Sequence, residues 1–156
     1  MVRHACSHSP FGGDGVRLMR DVWLSVPCEA PAPVKNRPVI KIGSGTLIGR
    51  RSLISGIHRI DIERNVLLAP GVFITDHNHQ SMTTDVPIKD QGVTEGGTVI
   101  IEEGCWLGYN SAVLAQRGRE VRLGRNTVVG ANTVVTKSSP AHSVLVGNPA
   151  RDISHA

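Results

Sequence analysis

The sequence predicts an all-β fold in which the chain winds as a parallel β-helix. This is a triangular prism of hexapeptide coils with one long loop excursion and a short C-terminal tail. Three observations carry the prediction. Aliphatic residues recur every six positions from Ile42 onward. The chain of 156 residues is 40% hydrophobic but only 3% aromatic, so its interior is filled with Val, Ile, Leu, Ala and small residues. Gly directly follows the aliphatic residue at Ile42, Ile48, Leu107, Leu123 and Val129. Neither a helical period of 3.6 nor strand alternation produces a strict six, whereas one short strand per hexad, three hexads to a coil, does.

The units follow in order. Ile42, Ile48 and Ile54 open the register, with the small residues Thr46 and Ser52 four places after the first two. A two-residue excess at His58-Arg59 shifts the frame, which restarts at Ile62, Leu68 and Ile74 with Val66 and Val72. The pattern then stops on Asp76-His77-Asn78-His79 and resumes at Ile101, Leu107 and Val113, with Cys105 and Ser111. A second excess, Gln116 to Glu120, precedes Leu123, Val129 and Val135, with Thr127 and Thr133. In each unit the aliphatic and the small residue are expected to face inward, with Gly accepting the backbone angles of the corner. Residues 1–40 read as an N-terminal extension and connector, and 41–156 as the repeat domain with its loop at 80–98. Gly15 to Val26 reads as a short helix or a strand, and the four prolines from Pro27 to Pro38 as an extended connector.

Composition narrows the function. A formal charge of +4, spread rather than clustered and without interleaved aromatics, fits a surface that meets an anionic small molecule and not a nucleic acid. Cys6, Cys28 and Cys105 form no CxxC pair, and Cys105 falls at a small-residue position, which gives it a packing role. No apolar run is long enough for a membrane span and the start lacks a signal-type apolar region, so the expected location is cytoplasmic.

A regular scaffold that breaks off onto a histidine pair is the natural place for chemistry, because functional side chains are commonly presented on loops. Histidine suits general-base work near neutral pH. Nothing resembles a GxSxG elbow or a Cys–His pair. A zinc site built from three imidazoles is disfavoured because no histidine occurs between His79 and His142.

The stretches IGSGTLIGRRSLIS, NVLLAPGVFITDHNH, VPIKDQGVTEGG, IIEEGCWLGYNSAVL, LGRNTVVGANTVVTKSSP and VGNPARDI resemble the hexapeptide-repeat acyltransferases. The likeness covers roughly residues 40–152 and is greatest to the sugar and polysaccharide O-acetyltransferase branch, alongside galactoside and maltose acetyltransferases. It implies a left-handed β-helix, acetyl-CoA as co-substrate without a metal, a saccharide acceptor such as a surface polysaccharide or lipopolysaccharide precursor, and a homotrimer. It also implies direct acetyl transfer with a histidine base. A gapless match from Asn65 puts that base on His79, and a slip of one or two residues puts it on His77. Asp76 or Asn78 then fixes a tautomer.

The resemblance implies further roles. Trp106 matches a tryptophan beside acceptor and thioester. Ser55 stands where the family has an acceptor-contacting asparagine, a departure that bears on the choice of acceptor. Asp76 and Asp85 join Ser55 and Trp106 as expected acceptor contacts, and Lys89, Asp90, Gln91 and Glu95 on the same loop carry further groups for sugar hydroxyls. Gly130, Ala131, Thr136 and Lys137 map to the stretch that lines the pantetheine arm, Arg151 to a phosphate partner, and Tyr109 replaces a small polar residue there. N-acetylation of an amino sugar, and a non-catalytic scaffold that binds partners through its faces, are the competing readings.

Overall fold

Leu47–Ile48, Leu67–Leu68, Trp106–Leu107, Val128–Val129 and Val144–Val146 lie side by side in parallel, each one coil beyond the last. Arg17–Leu18 adds a strand at one end of this first face and Arg151–Asp152 adds an antiparallel one at the other. The second face stacks Trp23–Ser25, Leu53–Ser55, Phe73–Thr75, Ala112–Leu114 and Val134–Val135. The third stacks Ile40–Ile42, Arg59–Ile62, Thr98–Ile101 and Glu120–Leu123. From Arg17 to Val135 the chain visits first, second and third face in strict rotation, which makes it a β-helix of triangular section. These coordinates are a computed structural model, and the structure describes residues 13–27 and 37–154.

The twelve aliphatic positions of the repeat are all buried and stack on their counterparts one coil away, for example Ile54 on Ile74 and Ile74 on Val113. The small positions Thr46, Ser52, Cys105, Ser111, Thr127 and Thr133 are buried as well. Their polar atoms stay satisfied: the Thr46 hydroxyl donates to the Glu63 carbonyl at 2.8 Å and the Ser111 hydroxyl to that of Gly108 at 2.8 Å.

Glycine after the aliphatic plays a different part from the one expected. The left-handed backbone of the corners falls two positions later, on Gly45, Asn65, Gly104 and Asn126 at one edge and on Arg51, Gly71, Asn110 and Asn132 at the next. Gly43 and Gly49 are required by close approach instead. A methyl on Gly43 would stand 2.5 Å from the Arg64 amide nitrogen, and one on Gly49 would stand 2.5 Å from the Ala69 carbonyl carbon.

The prism also extends N-terminally. Residues 17–25, which the sequence leaves between helix and strand, supply a strand each to the first and second faces. Most of the connector expected over Pro27 to Pro38, with Cys6, Cys28, His4, His8 and His155, lies outside the described residues.

The three faces differ outside. The first presents Leu47, Leu67, Trp106 and Val128 in one continuous row, and the second presents Trp23, Leu53, Phe73 and Val134. Among these, Trp23, Trp106 and Leu67 are exposed. The third face carries Lys41, Asp61, Glu120 and Arg122 outward, several of them ion-paired.

Candidate active site

Two edges of the prism turn tightly on a left-handed residue at successive coils, while the third is crossed by longer connections. Where the second face passes into the third, the chain makes longer excursions among the described residues: 56–58, 76–97, 115–119 and 136–138. The two excesses in the repeat and the long loop therefore gather on a single edge. His58, His77, His79 and Lys137 belong to it.

Asp76 is the first residue beyond the Phe73–Thr75 strand and is completely buried. Its Oδ2 accepts the backbone N–H groups of His58 and Arg59, each at 2.8 Å, and Ile57 donates to Oδ1 at 2.9 Å. Oδ1 also meets His77 Nδ1 at 3.0 Å. Burial pushes this carboxyl up, but the His77 bond and the three backbone bonds outweigh it and hold the group below its ordinary value. A carboxylate only accepts, so His77 carries its proton on Nδ1, which also lies 3.3 Å from Thr75 Oγ1. These contacts leave Asp76 no exposed oxygen for a ligand, which corrects its expected role as an acceptor contact. It is a structural anion at the corner.

His79 differs from its neighbour. Its side chain is exposed, while its backbone bridges Val93 in antiparallel fashion at the base of the loop. The base is zipped on either side: Thr94 N–H donates to the Asn78 carbonyl at 2.7 Å and Gln80 N–H to the Gly92 carbonyl at 3.0 Å. Beyond it, residues 81–90 are exposed and include one 3₁₀ turn, Ile88–Asp90. Gln91 braces this excursion from within. Its amide donates to the Thr83 and Val86 carbonyls at 2.7 Å each and its oxygen accepts the Thr83 N–H at 3.2 Å. Asp85 lies in the exposed part, beside the Thr84 hydroxyl.

Ser55 pairs in register with Thr75, one coil from the residue that precedes Asp76, so it joins the histidine edge. Thr136 and Lys137 lie on the same edge two coils beyond His77, about 10 Å along the axis at the usual strand spacing. They line a cleft of about 300 Å³ that also meets Ser139, Pro149, Ala150 and Asp152. Tyr109, Gly130 and Ala131 occupy the edge between first and second faces. Trp106 and Arg151 lie on the first face, which in a triangular section is opposite the histidine edge. One chain therefore holds the histidines and the tryptophan on opposite sides of its prism.

Sequence reasoning did not identify the backbone of Ile57–Arg59, or the His58 ring, whose Nδ1–H donates to the Gly97 carbonyl at 3.0 Å. The frame shift at His58-Arg59 was their only signal. Among the described residues, no group of three His, Cys, Asp or Glu side chains is arranged to hold a metal ion, and no helix is long and apolar enough to cross a membrane.

The pattern described as the hexapeptide repeat of succinyl-transferase matches residues 39–76 and 98–137, half of the chain. The chain belongs to the hexapeptide-repeat family. The gap between the two matched stretches is the loop that carries His77 and His79. Among relatives, the hexapeptide-repeat chain is 39% identical over 106 residues to WbbJ of Escherichia coli (strain K12), whose provisional name is lipopolysaccharide biosynthesis O-acetyl transferase. That match covers 64% of this chain and 52% of WbbJ. It is 32% identical over 116 residues to a probable acetyltransferase of Mycobacterium tuberculosis, covering 74% of this chain and 37% of the relative. The chain thus spans about half, or less, of the length of these relatives.

Solved structures share the fold. The N-acyltransferase AntD of Bacillus cereus, in complex with dTDP and 3-hydroxybutyryl-CoA, superposes with a TM-score of 0.69 at 20% identity, over 92% of this chain and 70% of that one. A galactoside acetyltransferase in complex with coenzyme A gives 0.65 at 24% identity, over 89% and 63%.

Proposed function

We propose that this chain transfers an acetyl group from acetyl-CoA to a hydroxyl of a saccharide, within a surface-polysaccharide or lipopolysaccharide precursor, with His79 as general base. The observation that carries this is the histidine edge: among the described residues the hexad scaffold gathers its excursions there and presents the exposed His79 imidazole on a zipped loop base. The likeness to WbbJ supports the O-acetyl and lipopolysaccharide part.

In this reaction a ring nitrogen of His79 takes the acceptor hydroxyl proton as the oxygen attacks the thioester carbonyl. The tetrahedral intermediate collapses, the carbon–sulfur bond breaks, and the departing thiolate takes the proton back from the imidazolium. An acetyl ester and free coenzyme A result. No protein nucleophile is needed, because holding acceptor and thioester together supplies much of the acceleration. His77 is the second reading, favoured by its bond to Asp76.

The cofactor contacts are Tyr109, Gly130, Ala131, Thr136, Lys137 and Arg151, with Lys137 and Arg151 meeting phosphate through charge-assisted bonds. The acceptor contacts are Ser55, Asp85 and Trp106. Because Trp106 lies opposite His79 in one prism, a complete site requires a second copy. The outward apolar rows of the first and second faces, with Trp23, Leu67 and Trp106 exposed, suit such packing, and a homotrimer closes it. Use of acetyl-CoA puts the reaction in the cytoplasm.

The deciding experiment is a screen of hydroxyl and amine acceptors read by thiol release, with acetyl-CoA binding followed by calorimetry. Ester formation on a saccharide is expected. Transfer only to amino sugars would move the reading to N-acetylation, and absence of acetyl-CoA binding would end the enzyme reading in favour of a scaffold. An active monomer by light scattering would remove the shared site.

A further inference from the structure

We propose that Asp76 is a positioning residue for this reaction, its buried carboxylate tying the corner at Ile57–Arg59 to the segment Asp76–His79 and so holding His79 at the acceptor. The inference rests on the functional reading above.

Asp76 fastens the histidine segment in three directions. Through its side chain it takes the N–H groups of Ile57, His58 and Arg59, which belong to the preceding coil. Its main-chain carbonyl accepts the Gly97 N–H at 2.6 Å, closing the far end of the loop onto its beginning. Its Oδ1 takes the His77 ring. Thr75 adds to this by accepting the His77 N–H at 3.3 Å and donating to the His77 carbonyl at 3.1 Å. Only Asn78 separates His77 from His79, and Thr94 holds both backbone groups of Asn78, through Oγ1 at 3.1 Å and through its own N–H at 2.7 Å. The backbone that leads to His79 therefore has a fixed partner at each residue. Effective proton transfer requires such fixing, since a base out of hydrogen-bond reach contributes little.

Asparagine has the same shape but cannot do the same work. With its NH₂ at the Oδ2 position it faces the N–H groups of His58 and Arg59, donor against donor. With its NH₂ at the Oδ1 position it faces the Ile57 N–H, and it meets His77 only if that ring moves its proton from Nδ1 to Nε2. An aspartate with a purely space-filling role would show neither consequence.

The test is Asp76→Asn in the full chain, read by ring-nitrogen NMR of His77, amide exchange at Ile57, His58 and Arg59, and steady-state kinetics. The expected result is exchange at the three amides faster by about tenfold or more, with the His77 proton moved to Nε2 if the new NH₂ takes the Oδ1 side and kept on Nδ1 if it takes the Oδ2 side. Turnover should fall by about tenfold or more while KM for acetyl-CoA moves by less than about threefold. Turnover within about twofold of native despite the loosened amides overturns the proposal, as do unchanged amides. Should Asp76→Asn fail to fold, the native protein still decides the geometry, because a His77 ring protonated on Nε2 would overturn it. Thr75→Val, which loosens the same turn, then supplies the kinetic arm: lower turnover supports the proposal and unchanged turnover overturns it. If the native protein transfers no acetyl group at all, the proposed function falls, while the NMR and exchange readings still judge the clamp.

Discussion

Asp76 Oδ1 and His77 Nδ1 stand 3.0 Å apart, and the same carboxylate holds three backbone N–H groups of the coil before it. The pair divides two adjacent histidines by environment. His77 is built into the prism, with a side chain only 11% exposed. His79 is carried on its surface.

Acid should unfold the protein through this carboxylate. In the folded state Asp76 is held below its ordinary value, burial opposing and the His77 and backbone bonds prevailing. Glu103, bonded by Arg64, is also held low. The unfolded chain therefore binds protons first as pH falls. Stability is full above the ordinary carboxylate range near about pH 4 and is lost as pH drops through it toward the folded values. Melting temperature measured from neutral pH downward should fall over this window, and Asp76→Asn should flatten the curve. A native melting temperature unchanged down to about pH 2 would refute the linkage.

The core should be unforgiving in both directions. Ile74→Ala removes a fully buried side chain between Ile54 and Val113 and should cost about 2–5 kcal/mol. Gly49→Ala forces a methyl against the Ala69–Pro70 backbone and should cost about 1–3 kcal/mol. Denaturant unfolding measures both, and Gly92→Ala, with open space around it, separates steric cost from strain at its positive φ.

The hexads were legible because each rung buries one aliphatic residue, so Ile42, Ile48 and Ile54 announce their own spacing. The first coil was not. As an end coil it buries less, leaving Leu18 37% exposed, and its outward residues Arg17 and Trp23 obscure the period. The role of Gly43 and Gly49 was hidden because a steric limit set by another coil leaves no mark on their own neighbours. Asp76 was named with Asn78 as a candidate to fix a histidine tautomer, which its bond to His77 fits, but its anchoring role was hidden for a related reason. Its chief partners are backbone N–H groups 17 to 19 residues earlier, and backbone donors have no side-chain signature. The histidine pair itself was plain, since the aliphatic pattern stops on it.

Cys105 should behave as a core residue. It is fully buried, its Sγ lies 3.2 Å from the Gly124 carbonyl, and burial pushes its thiol up to about 11. Alkylation at pH 8 followed by peptide mapping should leave Cys105 unmodified in the native protein and label it in denaturant. Rapid native labelling would contradict the packing role.

Gln91 offers a way to loosen the loop without touching either histidine. Its three bonds to Thr83 and Val86 are the internal brace of the excursion. Gln91→Ala should raise KM for the acceptor by about three- to tenfold, leave KM for acetyl-CoA near its native value, and shift the melting temperature little, because the loop lies outside the core. An unchanged acceptor KM would mean that the loop does not wall the acceptor site.

The two histidines should separate by what each loses. His79→Ala removes an exposed imidazole with no core contact, so melting temperature should hold while turnover falls by about 10²–10⁴-fold, with acetyl-CoA binding nearly kept. His77→Ala removes a ring packed at the corner and leaves Asp76 short of one donor, so it should lower the melting temperature and reduce turnover no more than His79→Ala does. The opposite ranking, with His77→Ala the more damaging to turnover at preserved stability, would transfer the base to His77, its ring oriented by the bond to Asp76. Full activity in both variants would remove general-base catalysis from this edge altogether.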